Sequence, residues 1–241
     1  MLSDLSRQLL HVQRTYIEQQ QDRLRQERKL ALAEKRKREE KKQEGKAVEE
    51  DSKPLKICLT VPVTSKGTDM KAITDSPFWN NLFDSFMKSI DWRSNKIEYR
   101  FYLGFDRGDA LYDTGDAWSE FREEFKNRAT YRMIEQMMDE EGVNKVLNNL
   151  LSIRLLHFDG LAGSPSQVVS QLVLKAYDDG FDYFYQVNDD TVIDTPNWAP
   201  QLVQTLVSNP IQPNLGVTGP KDANNEKIFT HAFVHRTHVE V

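Results

Sequence analysis

The sequence predicts an α/β domain, a largely parallel open sheet with helices on both faces, preceded by a long charged helix. Three observations predict it. Short apolar runs alternate with helix-period segments from residue 54 onward. The runs are near-continuously hydrophobic, as strands buried on both faces must be. Helix starts are punctuated by Ser76-Pro77 and Ser164-Pro165, with proline where a first helical turn tolerates it.

Residues 1–53 form the charged arm. The first 50 residues hold no Pro and a single Gly, Gly45, so helix is expected. Leu2, Leu5, Leu9, Val12 and Tyr16 are spaced three and four apart, a coiled-coil-like seam that suggests self-association through residues 1–17. In the same register Gln19, Arg23 and Gln26 follow, and the seam stops. From Arg23 to Glu50 nearly every residue is Lys, Arg, Glu or Gln, which suits a solvated helix that buries nothing. The basic cluster Lys35-Arg36-Lys37-Arg38 is interleaved with glutamates and is a weak nucleic-acid signal.

Residues 54–241 carry the α/β series. Leu55 to Val63 reads as the first strand, and the helix after Ser76-Pro77 presents Phe78, Leu82, Phe83, Phe86 and Ile90 on one face. Ile97 to Phe105 is a second strand, alternating through Tyr99, Phe101 and Leu103. A loop rich in Asp and Gly leads to a long helix from Ala117 to Glu141, with continuation to Leu150. Ser152 to Phe158 is a third strand. Val168, Val169, Leu172, Val173 and Ala176 mark a helix ended by Asp179-Gly180. The central strand begins at Asp182 and delivers the adjacent carboxylates Asp189 and Asp190, followed by a second short β-branched run. A helix from Asn197 to Ser208, a short strand at Leu215 to Thr218 and a last run from Lys227 to His235 complete the order. Trp198 is expected to pack at a helix start, although aromatic rings also stack on sugars.

Bulk properties exclude several classes. A net charge of -5 argues against general electrostatic binding to nucleic acid. One cysteine, Cys58, allows no internal disulfide and no multi-cysteine zinc cage. No apolar run approaches the ~20 residues of a membrane span, and no secretory signal is visible. The expected location is the cytoplasm, or the Golgi lumen if the natural N-terminus lies upstream.

Two ionised carboxylates at a strand's end repel each other and lose hydration, and a divalent cation, Mn²⁺ or Mg²⁺, is a common remedy. In open α/β sheets ligands gather at the carboxyl ends of the strands. The bland alternative is an acidic turn with both side chains in water. His231, His235 and His238 suggest zinc by type, or ordinary structural histidines. The acidic loop with Asp106, Asp109, Asp113 and Asp116 misses the calcium-loop spacing.

The order of these motifs resembles the first two-thirds of a GT-A-type glycosyltransferase, in the broad sense of inverting family-2-like enzymes, over Lys56 to Val241. Pro62-Val63-Thr64-Ser65-Lys66 resembles the loop that approaches the nucleotide, and Gly104-Phe105-Asp106 the position whose Asp contacts base or ribose. The helix ending in Lys175-Ala176-Tyr177-Asp178-Asp179-Gly180 resembles the one before the metal strand. Asn188-Asp189-Asp190-Thr191 stands where the family carries Asp-x-Asp. Asn188 replaces the first Asp if Asp190 is the second; in the alternative register Thr191 replaces the last.

The resemblance implies a UDP- or GDP-linked donor bound by Pro62, Thr64, Lys66, Asp106 and Asp189. It implies a metal at Asp190, with Asp189 touching the ribose or a metal-bound water. It also implies an acceptor pocket at Gly219, His231 and His235, and a catalytic base beyond Val241, which makes the chain incomplete and an impaired transferase as it stands. On that expectation an apolar strip around Phe229, Phe233 and Val234 is left open. The alternatives are a non-catalytic protein that binds a nucleotide sugar or mediates assembly, and a metal-dependent phosphohydrolase. The last lacks a nucleophilic Asp at the end of the first strand.

Overall fold

The computed structural model describes residues 54–222 and 230–240, which belong to one unit, Pro54–Val241. The expectations for the arm, its seam and its basic cluster, and for Phe229, lie outside the described residues.

The domain is α/β. Strand β1 (Lys56–Pro62) is followed by a π-helical turn, Phe78–Phe83, that runs directly into α1 (Asp84–Ser89). Then come β2 (Glu98–Asp106), α2 (Ala117–Glu135), α3 (Glu140–Asn149), β3 (Leu151–Phe158), α4 (Pro165–Asp178) and β4 (Tyr183–Gln186). After these stand α5 (Trp198–Val207), β5 (Val217–Thr218), β6 (Phe233–His235) and α6 (Arg236–Glu240). The six strands lie in the order β3-β2-β1-β4-β6-β5. β1 pairs in parallel with β2 and β4, and β2 with β3. β6 is antiparallel to both β4 and β5. The sheet is therefore mixed rather than parallel throughout.

Period-two alternation explains why both faces are covered. Ile57, Leu59 and Val61 of β1, with Tyr99, Phe101 and Leu103 of β2, point into a core shared with α1, α2 and α5. Phe78, Trp79, Phe83, Phe86 and Phe121 fill it, with edge-to-face pairs such as Phe86–Phe101 at 4.8 Å. Cys58, Tyr102 and Phe184 point the other way and meet Val168, Leu172 and Ala176 of α4. Cys58 is fully buried, and burial pushes its thiol pKa up.

Two expectations are corrected. The long helix does not run from Ala117 to Leu150. It breaks after Glu135, where Met137 takes φ 62° and the Gln136 side chain turns inward to donate to the carbonyls of Met87 and Ile90. A new helix then starts at Asp139, whose carboxylate accepts from the Gly142 N–H at 2.8 Å, an N-cap that residue type favours. The β-branched run Thr191-Val192-Ile193 is loop, because the chain after Gln186 turns at Asn188–Thr191 instead of extending the sheet.

The helix end at Asp179-Gly180 forms as the residue types predict. Gly180 takes φ 80°, and the Phe181 N–H returns to the Ala176 carbonyl. Phe233 is fully buried between Tyr183, Tyr185 and Trp198, so the expected open strip does not include it. Val234 instead lines a groove of ≈ 450 Å³ on the α4 face.

Gly104 of β2 lets α4 lie close to the sheet. A Cβ at this position would stand 2.6 Å from Val168 Cγ1 and 3.1 Å from Leu172 Cδ1, inside van der Waals contact with side chains that are themselves packed. Gly104→Ala is expected to lower the unfolding free energy by about 1–3 kcal/mol in urea titrations. An unchanged midpoint would mean the helix does not approach the strand this closely.

Candidate functional site

The sheet order creates the site. From β1 the chain moves to β2 and β3 on one side, then returns through α4 to β4 on the other side of β1. Such a reversal opens a crevice outside the carboxyl ends of the two central strands. Here those ends are Pro62, leading into Thr64-Ser65-Lys66, and Gln186, leading into Asn188-Asp189-Asp190. β2 is parallel to β1, so Asp106 and the loop after it arrive at the same end. β5 runs in the direction of β4, which brings Gly219, next after Thr218, to this end as well.

Asp109 ties the first two loops together. Its carboxylate accepts from the Ser65 N–H at 2.8 Å, the Ser65 hydroxyl at 2.6 Å and the Thr64 hydroxyl at 3.0 Å. It also accepts from the Leu111 and Tyr112 N–H groups, each at 3.1 Å. Burial alone would raise its pKa, but these donors hold it below the usual carboxylate range. No local signal could have identified it, because Ser65 lies 44 residues away in the chain.

Asp106 is partly committed as well. One of its oxygens accepts from the Leu161 N–H at 2.7 Å, fixing the loop that leads into α4.

The acidic pair is unequal. Asp190 is exposed, whereas Asp189 is half-buried, and burial with the adjacent Asp190 charge pushes the Asp189 carboxyl up to about 6. The Asp189 charge also reaches buried Tyr112, whose hydroxyl shares a 2.7 Å hydrogen bond with that of Ser76. The β4 turn and the β2 loop therefore share one electrostatic environment. Lys66, in the loop after β1, is exposed.

Of the histidines, His231 lies at this end and His235 does not. His231 Nε2 is 3.0 Å from the Thr191 hydroxyl and its Nδ1 is 3.2 Å from that of Thr230. Both ring nitrogens are thus engaged by the protein. Burial lowers its pKa, opposed in part by Asp222 and Asp190. His235 pairs with Tyr183, the first residue of β4, and packs against that ring at 4.8 Å, so it stands at the opposite end of the strand. The structure does not bring the two together in one pocket.

Among the described residues no trio of His, Cys, Asp or Glu can cage a metal by itself. Two adjacent carboxylates, one of them raised by burial and by its neighbour's charge, still suit Mg²⁺ or Mn²⁺ by type, since such ions take one or two carboxylates and draw remaining ligands from phosphates and water. Two cavities lie elsewhere: the groove beside α4, and one of ≈ 320 Å³ between α1 and α2 lined by Trp79, Asp84, Arg128 and Arg132. Neither carries the acidic pair, and strand topology with charge is the better guide to the site.

No protein-family model matches the chain, and no curated protein matches it. Among solved structures it is similar to a nucleoside-diphosphate-sugar pyrophosphorylase from Vibrio cholerae, at 14% identity and a TM-score of 0.31. The match covers 61% of this chain and 53% of that one, so it spans about half of the bacterial protein. Among the described residues no helix is long and apolar enough to cross a membrane.

Proposed function

We propose that the domain binds a nucleotide sugar at the reversal between β1 and β4 and transfers its sugar to an acceptor hydroxyl with the help of a divalent cation. The observation that carries this reading is the convergence of Thr64–Lys66, the Asp106–Tyr112 loop and the Asp189–Asp190 turn at one end of the sheet. In this reading the loop after β1 and Asp106 receive the nucleoside. Asp109 presets that loop by consuming the Ser65 N–H and hydroxyl.

Asp190, exposed, and Asp189, half-buried beside it, would hold Mn²⁺ or Mg²⁺. When bound, the cation would offset the negative charge that grows on the departing diphosphate. Lys66, in the loop after β1, would supply a further positive charge. Gly219 and His231 border the other side of the turn, where an acceptor would approach.

Calorimetry with UDP and GDP, with and without Mn²⁺, tests the reading. Nucleotide affinity is expected to depend on the metal and to fall at least about 10-fold in Asp190→Ala. Equal affinity in EDTA, or an unaffected Asp190→Ala variant, would remove the metal assignment. Donor hydrolysis or transfer by the same protein separates an enzyme from a protein that only binds the donor.

A further inference from the structure

The turn that carries Asp189 and Asp190 is held from outside the strand by a hydrogen-bonded series that neither the motif nor the proposed chemistry requires. The Asn188 N–H reaches the Thr191 hydroxyl oxygen at 3.2 Å, and that hydroxyl lies 3.0 Å from His231 Nε2. On the far side of the ring, Nδ1 is 3.2 Å from the Thr230 hydroxyl, which donates to Asp222 Oδ2 at 2.7 Å.

Proton counting sets the direction of every link. A carboxylate only accepts, so the single hydroxyl proton of Thr230 goes to Asp222. Thr230 can then only accept from His231, which places a proton on Nδ1. Burial favours the neutral ring, and a neutral ring protonated at Nδ1 has a lone pair at Nε2. Thr191 must therefore donate to Nε2, while its oxygen accepts from the Asn188 N–H. Thr230, His231 and Thr191 are each then used once as donor and once as acceptor.

We infer that His231 is a positioning residue: Asp222, through Thr230, selects its Nδ1–H tautomer, and the ring then acts through Thr191 to brace the Asn188–Thr191 turn. This rests on the reading of Asp189 and Asp190 as the polar end of the donor site. A His held this way contributes geometry rather than a ligand bond, as outer hydrogen-bond partners of metal sites do. It also accounts for a histidine at this end that has no ring nitrogen to spare for zinc.

The tautomer can be read directly in the full chain, without metal or nucleotide, by long-range proton–nitrogen NMR of the imidazoles. His231 is expected to show a protonated Nδ1 and an unprotonated Nε2; the opposite tautomer overturns the inference. Asp222→Ala frees the Thr230 proton and is expected to shift the ring toward the Nε2–H form, and a ring that stays unchanged counts against the series. Thr191→Val keeps the shape and removes the hydroxyl. It is expected to speed amide exchange at Asn188 and to weaken Mn²⁺–UDP binding roughly 10-fold, with Thr191→Ser restoring both. Unaltered exchange in Thr191→Val overturns the brace, as does Mn²⁺–UDP affinity that the substitution leaves intact. If the unaltered chain binds no nucleotide, the donor reading fails, and tautomer and amide exchange alone decide the brace.

Discussion

Replacing Asp189 with Asn is expected to make the metal-free protein more stable at neutral pH while weakening its metal-dependent nucleotide binding. The carboxyl is moved from its ordinary 3.8 to about 6 by burial and by Asp190. A change of that size corresponds to about 3 kcal/mol of native-state cost once the group is ionised. Partial access to solvent reduces this to about 1–2 kcal/mol.

The sign follows from which state keeps the proton. Below about pH 3 Asp189 is protonated whether the chain is folded or not, and the cost is absent. Between about pH 4 and 6 the unfolded chain releases the proton first, so the native state loses relative stability as pH rises through the folded pKa. Urea unfolding in EDTA should therefore show Asp189→Asn and the unaltered protein equal near about pH 3 and separated by about 1–2 kcal/mol at about pH 7.5, the variant being the more stable. The same variant should bind Mn²⁺–UDP roughly 10-fold more weakly or worse. A variant that is less stable at pH 7.5 would show that Asp189 has a cationic partner and is not a strained carboxylate.

The largest stability loss is expected from Trp198→Ala. The indole is 5% exposed and sits against Tyr185 at 4.9 Å, with Tyr99, Phe86 and Phe233 at 6.2 to 6.5 Å. Its Nε1–H donates to the Ser89 hydroxyl at 3.2 Å, and the Asn197 N–H before it donates to the Ser89 carbonyl at 2.8 Å. Removing so large a buried ring typically costs about 3–5 kcal/mol, a large share of the 5–15 kcal/mol that holds a typical domain together. Trp198→Phe, which keeps a ring but drops the N–H, should cost about 1 kcal/mol. A loss below 1 kcal/mol for Trp198→Ala would mean that the ring is open to solvent and would revive a sugar-stacking role. As it stands, burial assigns Trp198 to packing.

The legible part of the fold was local in origin. The strand runs of β1, β2 and β3 and the apolar faces of α1 and α4 follow from periodicity, which needs only neighbours along the chain. Helix starts at Ser-Pro pairs and the stop at Asp179-Gly180 are likewise local chemistry. The acidic turn was visible because two adjacent carboxylates at the end of an aromatic strand are chemically conspicuous. The break at Gln136 was not legible, since it depends on a side chain reaching carbonyls more than 40 residues earlier.

By itself, then, the sequence determined the α/β class, the buried faces and the chemical character of Asn188–Thr191. Only the tertiary structure decided the strand order, the antiparallel β6, and hence which loops meet. It also decided that Asp109 serves the β1 loop, that His231 faces Thr191 while His235 lies at the other end of β4, and that Trp198 is core. The physical reason is the range of the interactions. Periodicity records which way a side chain faces, whereas strand neighbours and hydrogen bonds such as Asp109 to Ser65 join residues whose separation leaves no trace in either local pattern.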